Sequence, residues 1–473
     1  MKTLLWLLSL TLLTAGVLAE ESPSPAGLEF TSGVPALDEA YRKARRTIAG
    51  DVKDGAFLAG QNWPQVWTRD SSFSVDMACA LLYPEVSKKT LLGLREDVKE
   101  IGECWYQDKC GHFDGWPNLT DSIAGATGAW SLYLVTGDRD LLRPVFERTV
   151  RTLQRAERDA FFKDVGLFGG CSTFMESNSG YPKQYAMKGP MIARTKALST
   201  NLLYYRGYLV AARLAQLLGE DAAPWQTKAA ALKEAVNRKL WLPKKGYYAY
   251  FLDADGRLEE RMEGCGEAFA ILYRVADAGK TRSILQNAPT SPSGFPCLWP
   301  QFPEWTHIKE KKDTADYYHN GMIWPFVEGY WAWAASQSKD VAVFGRELDA
   351  LVRLSQKAST YQEFYFPENG EPGGSPRQLW SASGFLSMIY HGLFGMDFLE
   401  NGIAFAPVVP ARFHKLTLTN VKYRGAVLDI ELDGHGTKLA TFELDGKAAA
   451  PFFDGILTGA HRIKIQMKDG KRA

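Results

Sequence analysis

Helical stripes recur in pairs along most of this chain, and that pairing limits its fold more than any other feature. Val341, Phe344, Leu348, Leu351 and Leu354 step by three and four residues, as do Leu203, Val210, Leu214 and Leu217. Such a stripe belongs to a helix packed on one side. About twelve segments of this kind start near Pro35, Ser71, Glu85, Leu119, Asp140, Lys196, Pro224, Gly264, Gly279, Trp324, Asp340 and Gln378. Taken in order they make six helical hairpins. Thr136-Gly137-Asp138 and Gly219-Glu220-Asp221 each stop a helix on glycine and offer an aspartate to start the next.

Two stretches break the helical period. Tyr247-Tyr248-Ala249-Tyr250-Phe251, followed by Asp253-Ala254-Asp255-Gly256-Arg257, reads as a β-hairpin set into the array. After Gly395 the period falls to two: Leu428, Ile430 and Leu432 alternate with Asp429 and Glu431, while Asp433-Gly434 and Asp445-Gly446 supply turns. The expectation is a mainly α domain over 20–399 and a small antiparallel β-domain over 400–473, docked without a low-complexity linker.

The chain opens with Met1-Lys2, an apolar run from Leu4 to Leu13, and Gly16-Val17-Leu18-Ala19 before Glu20-Glu21. A charged start, a short apolar stretch and small residues predict a signal peptide over 1–19 and export, to a periplasm or outside the cell. The run is too short for a bilayer, so no permanent membrane anchor is expected. Lys and Arg number 55 against 54 Asp and Glu, a net charge of +1, so nucleic acid is not an expected partner. The 14 Trp and 20 Tyr suit half-wet surfaces, which sugars present. Cys104 and Cys110 bracket a short loop, and a disulfide there would stabilise by roughly 2 kcal/mol. Cys79 reads as a buried thiol. No Cys/His spacing resembles a zinc site, so neither a metal nor an organic cofactor is expected.

Long stretches rich in Gly, Pro and aromatics hold the residues suited to chemistry. In Asn62-Trp63-Pro64-Gln65-Val66-Trp67-Thr68-Arg69-Asp70, the fork of Arg69 and the acceptors of Asp70 can clasp vicinal hydroxyls beside the face of Trp67. The plain alternative is an N-cap Asp with its Arg in solvent. In the glycine-rich run from Gly169 to Pro182, Glu176 is a lone carboxylate among apolar residues, a setting that raises a pKa toward the needs of a general acid. Glu363 stands among Tyr361, Phe364, Tyr365 and Phe366, where it could activate water as a general base. Glu368 and Glu371 border a Pro/Gly turn and read as exposed. Tyr318-His319-Asn320-Gly321 leads through Trp324-Pro325 into a helix; His319 and Asn320 can read hydroxyls, and Trp324 and Trp380 can wall a sugar.

Trp67-Thr68-Arg69-Asp70, Tyr318-His319-Asn320-Gly321 with Trp324-Pro325, Glu363-Phe364-Tyr365 with Asn369-Gly370-Glu371-Pro372, and Trp380-Ser381-Ala382 resemble, in order, the motifs of the inverting (α/α)6 glycosidases. That group includes glucoamylases, trehalases, the family 63 α-glucosidases and the mannosylglycerate hydrolase-like and glycogen-debranching relatives. Pro117-Asn118-Leu119-Thr120-Asp121 and the run from Gly402 to Pro407 resemble it too, so the likeness spans nearly the whole mature chain. It implies an (α/α)6 toroid and an exo-acting, inverting hydrolase of α-glucosides or related α-linked oligosaccharides. Arg69 and Asp70 would sit at the sugar of the −1 subsite, with Glu363 as base. Where relatives often carry Asp as the acid, this chain has Glu176-Ser177. Two other classes stay open on the residues alone: a polysaccharide lyase or sugar epimerase using Tyr318 and His319, and a sugar-binding protein without turnover.

Overall fold

The computed structural model describes residues 27–98, 103–107, 116, 120–176, 178–185, 188–306 and 317–468. The expected signal peptide and the Cys104–Cys110 pairing lie outside the described residues. Helices follow the expected starts: α1 (Pro35–Gly50), α2 (Thr68–Ser74), α3 (Pro84–Gly93), α4 (Ala124–Thr136), α5 (Leu142–Asp159) and α6 (Leu198–Leu218). They continue as α7 (Ala223–Lys239), α8 (Gly264–Leu272), α9 (Ala278–Asn287), α10 (Pro325–Gln337), α11 (Val341–Ser355) and α12 (Leu379–Ser387). Helices α2 and α12 each run on through a π-helical turn, Val75–Cys79 and Met388–Leu393.

The even-numbered helices form an inner ring in which each packs on the next and α12 closes back onto α2. The odd-numbered helices lie outside: α1 leans on α12, α3 on α4, α5 and α7 on α6, and α11 on α10. This is an (α/α)6 toroid. Burial separates the two layers. Outer helix α5 buries Leu142, Val145, Phe146, Leu153 and Ala156 and exposes Arg143, Glu147, Arg151 and Arg158, the one-sided stripe of a surface helix. Inner helix α10 buries residues all round. Inner helices also need close approach: a Cβ on Gly329 of α10 would stand 2.5 Å from the backbone of Gly384 in α12. The expected stops are present, with Gly137 at φ 69° and Gly219 at φ 74° ending α4 and α6 in the left-handed conformation. Asp138 and Asp221 then accept the amides of Asp140 and Ala223.

The β-domain contains a six-stranded sheet built from β1 (Glu29–Thr31), β4 (Lys415–Tyr423), β5 (Ala426–Asp433), β6 (Leu439–Leu444), β7 (Lys447–Ala448) and β9 (Gly459–Met467), in the order β1-β4-β5-β9-β6-β7. Its pairs are antiparallel except β5 with β9. Leu428, Ile430 and Leu432 point inward, as their alternation requires. A second sheet joins β2 (Met396–Leu399), β3 (Gly402–Phe405) and β8 (Phe452–Asp454). Glu400 thus sits in the turn between β2 and β3, and β1 reaches this domain from the other end of the chain. Cys79, Cys171, Cys265 and Cys297 are free and buried, and burial pushes the Cys79 thiol up to about 12. No described helix is long and apolar enough to cross a membrane.

Candidate active site

Helices α2, α10 and α12 all present their N-terminal turns to one end of the ring. Trp67 precedes α2, so Arg69 and Asp70 fall in its first turn. Trp324 is the N-cap of α10, with Pro325 opening the helix, and Gln378 is the N-cap of α12, with Trp380 just inside it. Together with the loops carrying Phe174, Glu176, Tyr318, His319 and Glu363, these turns line a cavity that opens to solvent. Every residue expected at the site lines it except Asn320. The Asn320 amide is instead clasped to the Phe302 backbone, accepting its N–H at 2.7 Å and donating to its carbonyl at 3.0 Å. A buried amide satisfied on both sides shapes the loop rather than meeting substrate.

Glu363 is held in the cavity by three hydrogen-bond donors. The Trp63 indole N–H donates to Oε1 at 2.8 Å, the Tyr318 hydroxyl donates to the same oxygen, and the Ser375 amide donates to Oε2 at 2.6 Å. Burial raises its carboxyl to about 7; the three donors pull the other way, and the nearby Glu176 carboxylate adds to the rise. A carboxylate poised near neutrality suits proton transfer. Tyr318, expected to contact sugar, is thereby also a support of Glu363, and Trp63 and Ser375 were not singled out in the sequence. Their signal was weak: Trp63 lies inside the Trp67 motif, whereas Ser375 acts through its backbone.

One expectation about Glu176 is corrected. Glu176 is not a lone carboxylate, because the Arg69 guanidinium donates to it at 3.1 Å. Arg69 and Asp70 both line the cavity but meet different protein partners. Arg69, 3% exposed, lies between Glu176 and Asp121, which is 3.4 Å away, and its guanidinium sits 5.1 Å from the Trp67 ring centre. Asp70 instead accepts from the Gln378 amide at 3.2 Å. Consecutive positions on a helix point about 100° apart, so the two charges meet different protein partners while both reach the cavity. Arg69→Ala should therefore cost both catalysis and stability. Stripping the guanidinium from the buried Asp121 and the partly buried Glu176 destabilises by about 3 to 5 kcal/mol, and kcat/KM should fall at least roughly tenfold. Thermal denaturation and steady-state kinetics check this; an unchanged Tm would show that the ion pairs carry no weight.

The walls are aromatic. Trp324 stands edge-on to Tyr318 at 5.0 Å and to Trp380 at 5.8 Å, and its indole N–H donates to the Tyr318 carbonyl at 3.1 Å. Trp380 lies flat on Phe326 at 4.0 Å. His319 packs against Phe174 and Trp324, and burial, with Arg69 nearby, holds its imidazole well below the usual range, hence neutral. Among the described residues no group of His, Cys, Asp and Glu is arranged to hold a metal.

A closed ring of helical hairpins with a carboxylate-lined cavity at its end is the architecture of the six-hairpin glycoside hydrolases. Residues 114–381 match the model of the mannosylglycerate hydrolase MGH1-like glycoside hydrolase domain, and the chain belongs to that family. Residues 396–451 match the C-terminal domain of glycosyl hydrolase family 65. Among solved structures, a sialidase superposes with a TM-score of 0.69 at 17% identity, covering 90% of this chain, which spans 40% of that protein's length. The family 63 mannosylglycerate hydrolase of Thermus thermophilus in complex with Tris gives 0.60 at 15% identity, over 74% of this chain and 100% of that one. A family 78 rhamnosidase of Bacillus sp. GL1 gives 0.61 at 16% identity, over 94% and 44%. At these identities the likeness is one of fold. No curated protein matches the sequence.

Proposed function

We propose that this protein hydrolyses a terminal glycosidic bond with inversion, Glu176 protonating the leaving oxygen and Glu363 deprotonating the attacking water. The observation that carries the reading is the cavity itself: two carboxylates from separate loops line it, and Glu363 is held there by Trp63, Tyr318 and Ser375 with its carboxyl raised to about 7. The inverting geometry places such a pair about 6.5 to 9.5 Å apart with water between. Trp67, Trp324 and Trp380 offer faces and edges to the sugar ring, and Asp70 is steadied by Gln378 to accept from a hydroxyl. Arg69 contacts Glu176 as an ion pair; proton delivery requires that contact to loosen and Glu176 to take up a proton from solvent before it passes that proton to the glycosidic oxygen, with Asp121 keeping the guanidinium in place. α-Glucosides or related small α-linked glycosides are the proposed substrates, by family resemblance.

The mechanism is tested by following the anomeric proton of the released sugar by NMR during the first minutes of hydrolysis of an aryl α-glycoside. The β-anomer is expected first. Initial release of the α-anomer would rule out inversion and the two roles together.

A further inference from the structure

The segment leading to Glu176 is held by buried hydroxyls. Thr200 donates to the Cys171 carbonyl at 2.6 Å, the Ser172 amide donates to the Tyr181 hydroxyl at 2.8 Å, and the Thr173 amide donates to the Ser199 hydroxyl at 3.1 Å. Behind them stands Glu263, the fully buried N-cap residue of α8. One oxygen of its carboxylate accepts from the Ser172 hydroxyl and, at 2.5 Å, from the Ser199 hydroxyl; the other accepts from the Ser199 amide at 3.0 Å. Glu263 does not line the cavity.

We propose that Glu263 is a positioning residue whose ionised carboxylate ties Ser172 to the start of α6 and thereby sets where Glu176, farther along the same segment, stands. This rests on the reading of Glu176 as general acid. The tie needs the ionised form for a geometric reason: all of its bonds are donated to it, and the Ser199 amide cannot reverse. A proton on Glu263 would oblige a serine hydroxyl to turn and accept. Ser199 already accepts from Thr173, and the two serine hydroxyls lie 3.2 Å apart, so the reversal would pass into the segment bearing Glu176.

Burial raises the Glu263 carboxyl to about 7, against the pull of its serine bonds, and no cation contributes. The ionisable groups that feel it are Tyr181, Tyr250, Cys265, Glu267 and Cys297, and burial raises all of them too. The tie is therefore intact above about pH 7 and lost as pH falls through it. Glu363 as base is lost over the same range. On a substrate that needs the acid, the acidic limb of kcat/KM should then contain two protonations instead of one.

The test compares pH profiles of the wild type, Glu263→Gln and Ser172→Ala, on an alkyl glycoside and on a dinitrophenyl glycoside, with folding checked by circular dichroism. On the alkyl glycoside the wild-type limb should be steeper than one proton. Both variants should show a single-proton limb, and at pH 8 a kcat/KM lower by roughly tenfold or more, as expected for a misplaced catalytic group. On the dinitrophenyl glycoside, which needs little acid, they should approach the wild type. Folded variants that keep the wild-type limb overturn the proposal, and so does an equal loss on both glycosides. A Glu176→Gln enzyme that loses both glycosides equally would instead sink the acid assignment, whatever Glu263 does.

Discussion

Glu363→Gln should lower kcat by about 10² to 10⁴-fold on every glycoside, including those with the best leaving groups. Inversion is a single displacement by water, so each substrate needs the same proton removed, and no other described carboxylate stands where Trp63 and Tyr318 direct this one. The substitution is close to isosteric, but the new NH2 must face the N–H of Ser375 or of Trp63, neither of which can accept, so a modest fall in Tm is expected beside the kinetic effect. In the wild type the sign follows from the role. The base works when deprotonated, so kcat/KM should fall as pH drops below about 7. Steady-state kinetics with an aryl glycoside series give the answer, and residual activity within tenfold of the wild type would end the assignment.

Glu176→Gln should separate substrates instead of silencing them all. With an alkyl or sugar leaving group the loss should again approach 10² to 10⁴-fold, whereas a dinitrophenyl group departs with little protonation and should retain most of its rate. The same change removes a partly buried ion-pair partner of Arg69, although Asp121 remains at 3.4 Å. A modest fall in Tm is therefore expected beside the kinetic effect. A plot of log kcat/KM against leaving-group pKa should steepen in the variant, and parallel slopes would transfer the acid role elsewhere.

The ring was legible because its signals are local. A stripe such as Phe344, Leu348 and Leu351, a glycine stop at Gly137 or Gly219, and Pro325 opening a helix each act within a turn or two of chain. The loops that carry Glu176 and Glu363 stood out for the same reason, through Gly, Pro and aromatic content that helices reject. The sequence boundary near 400 marked the change of period, but β1 belongs to the same sheet from residues far upstream. No local pattern specifies strand pairing when the partners lie at opposite ends of a chain.

By itself the sequence determined the helical hairpins, the β-unit after them, and which residues could do acid, base and stacking work. Only the tertiary structure decided their partners. Arg69 meets Glu176 across 107 positions and Trp63 meets Glu363 across 300, distances over which hydrogen bonds follow from how the ring closes and not from spacing along the chain. It also decided that Asn320 serves a backbone and that Glu263, unremarkable in its own stretch, lies beneath the segment leading to Glu176. Side-chain chemistry is a property of residue type, but desolvation and hydrogen-bond geometry are properties of the neighbours, and here the packed helices of the ring supply them.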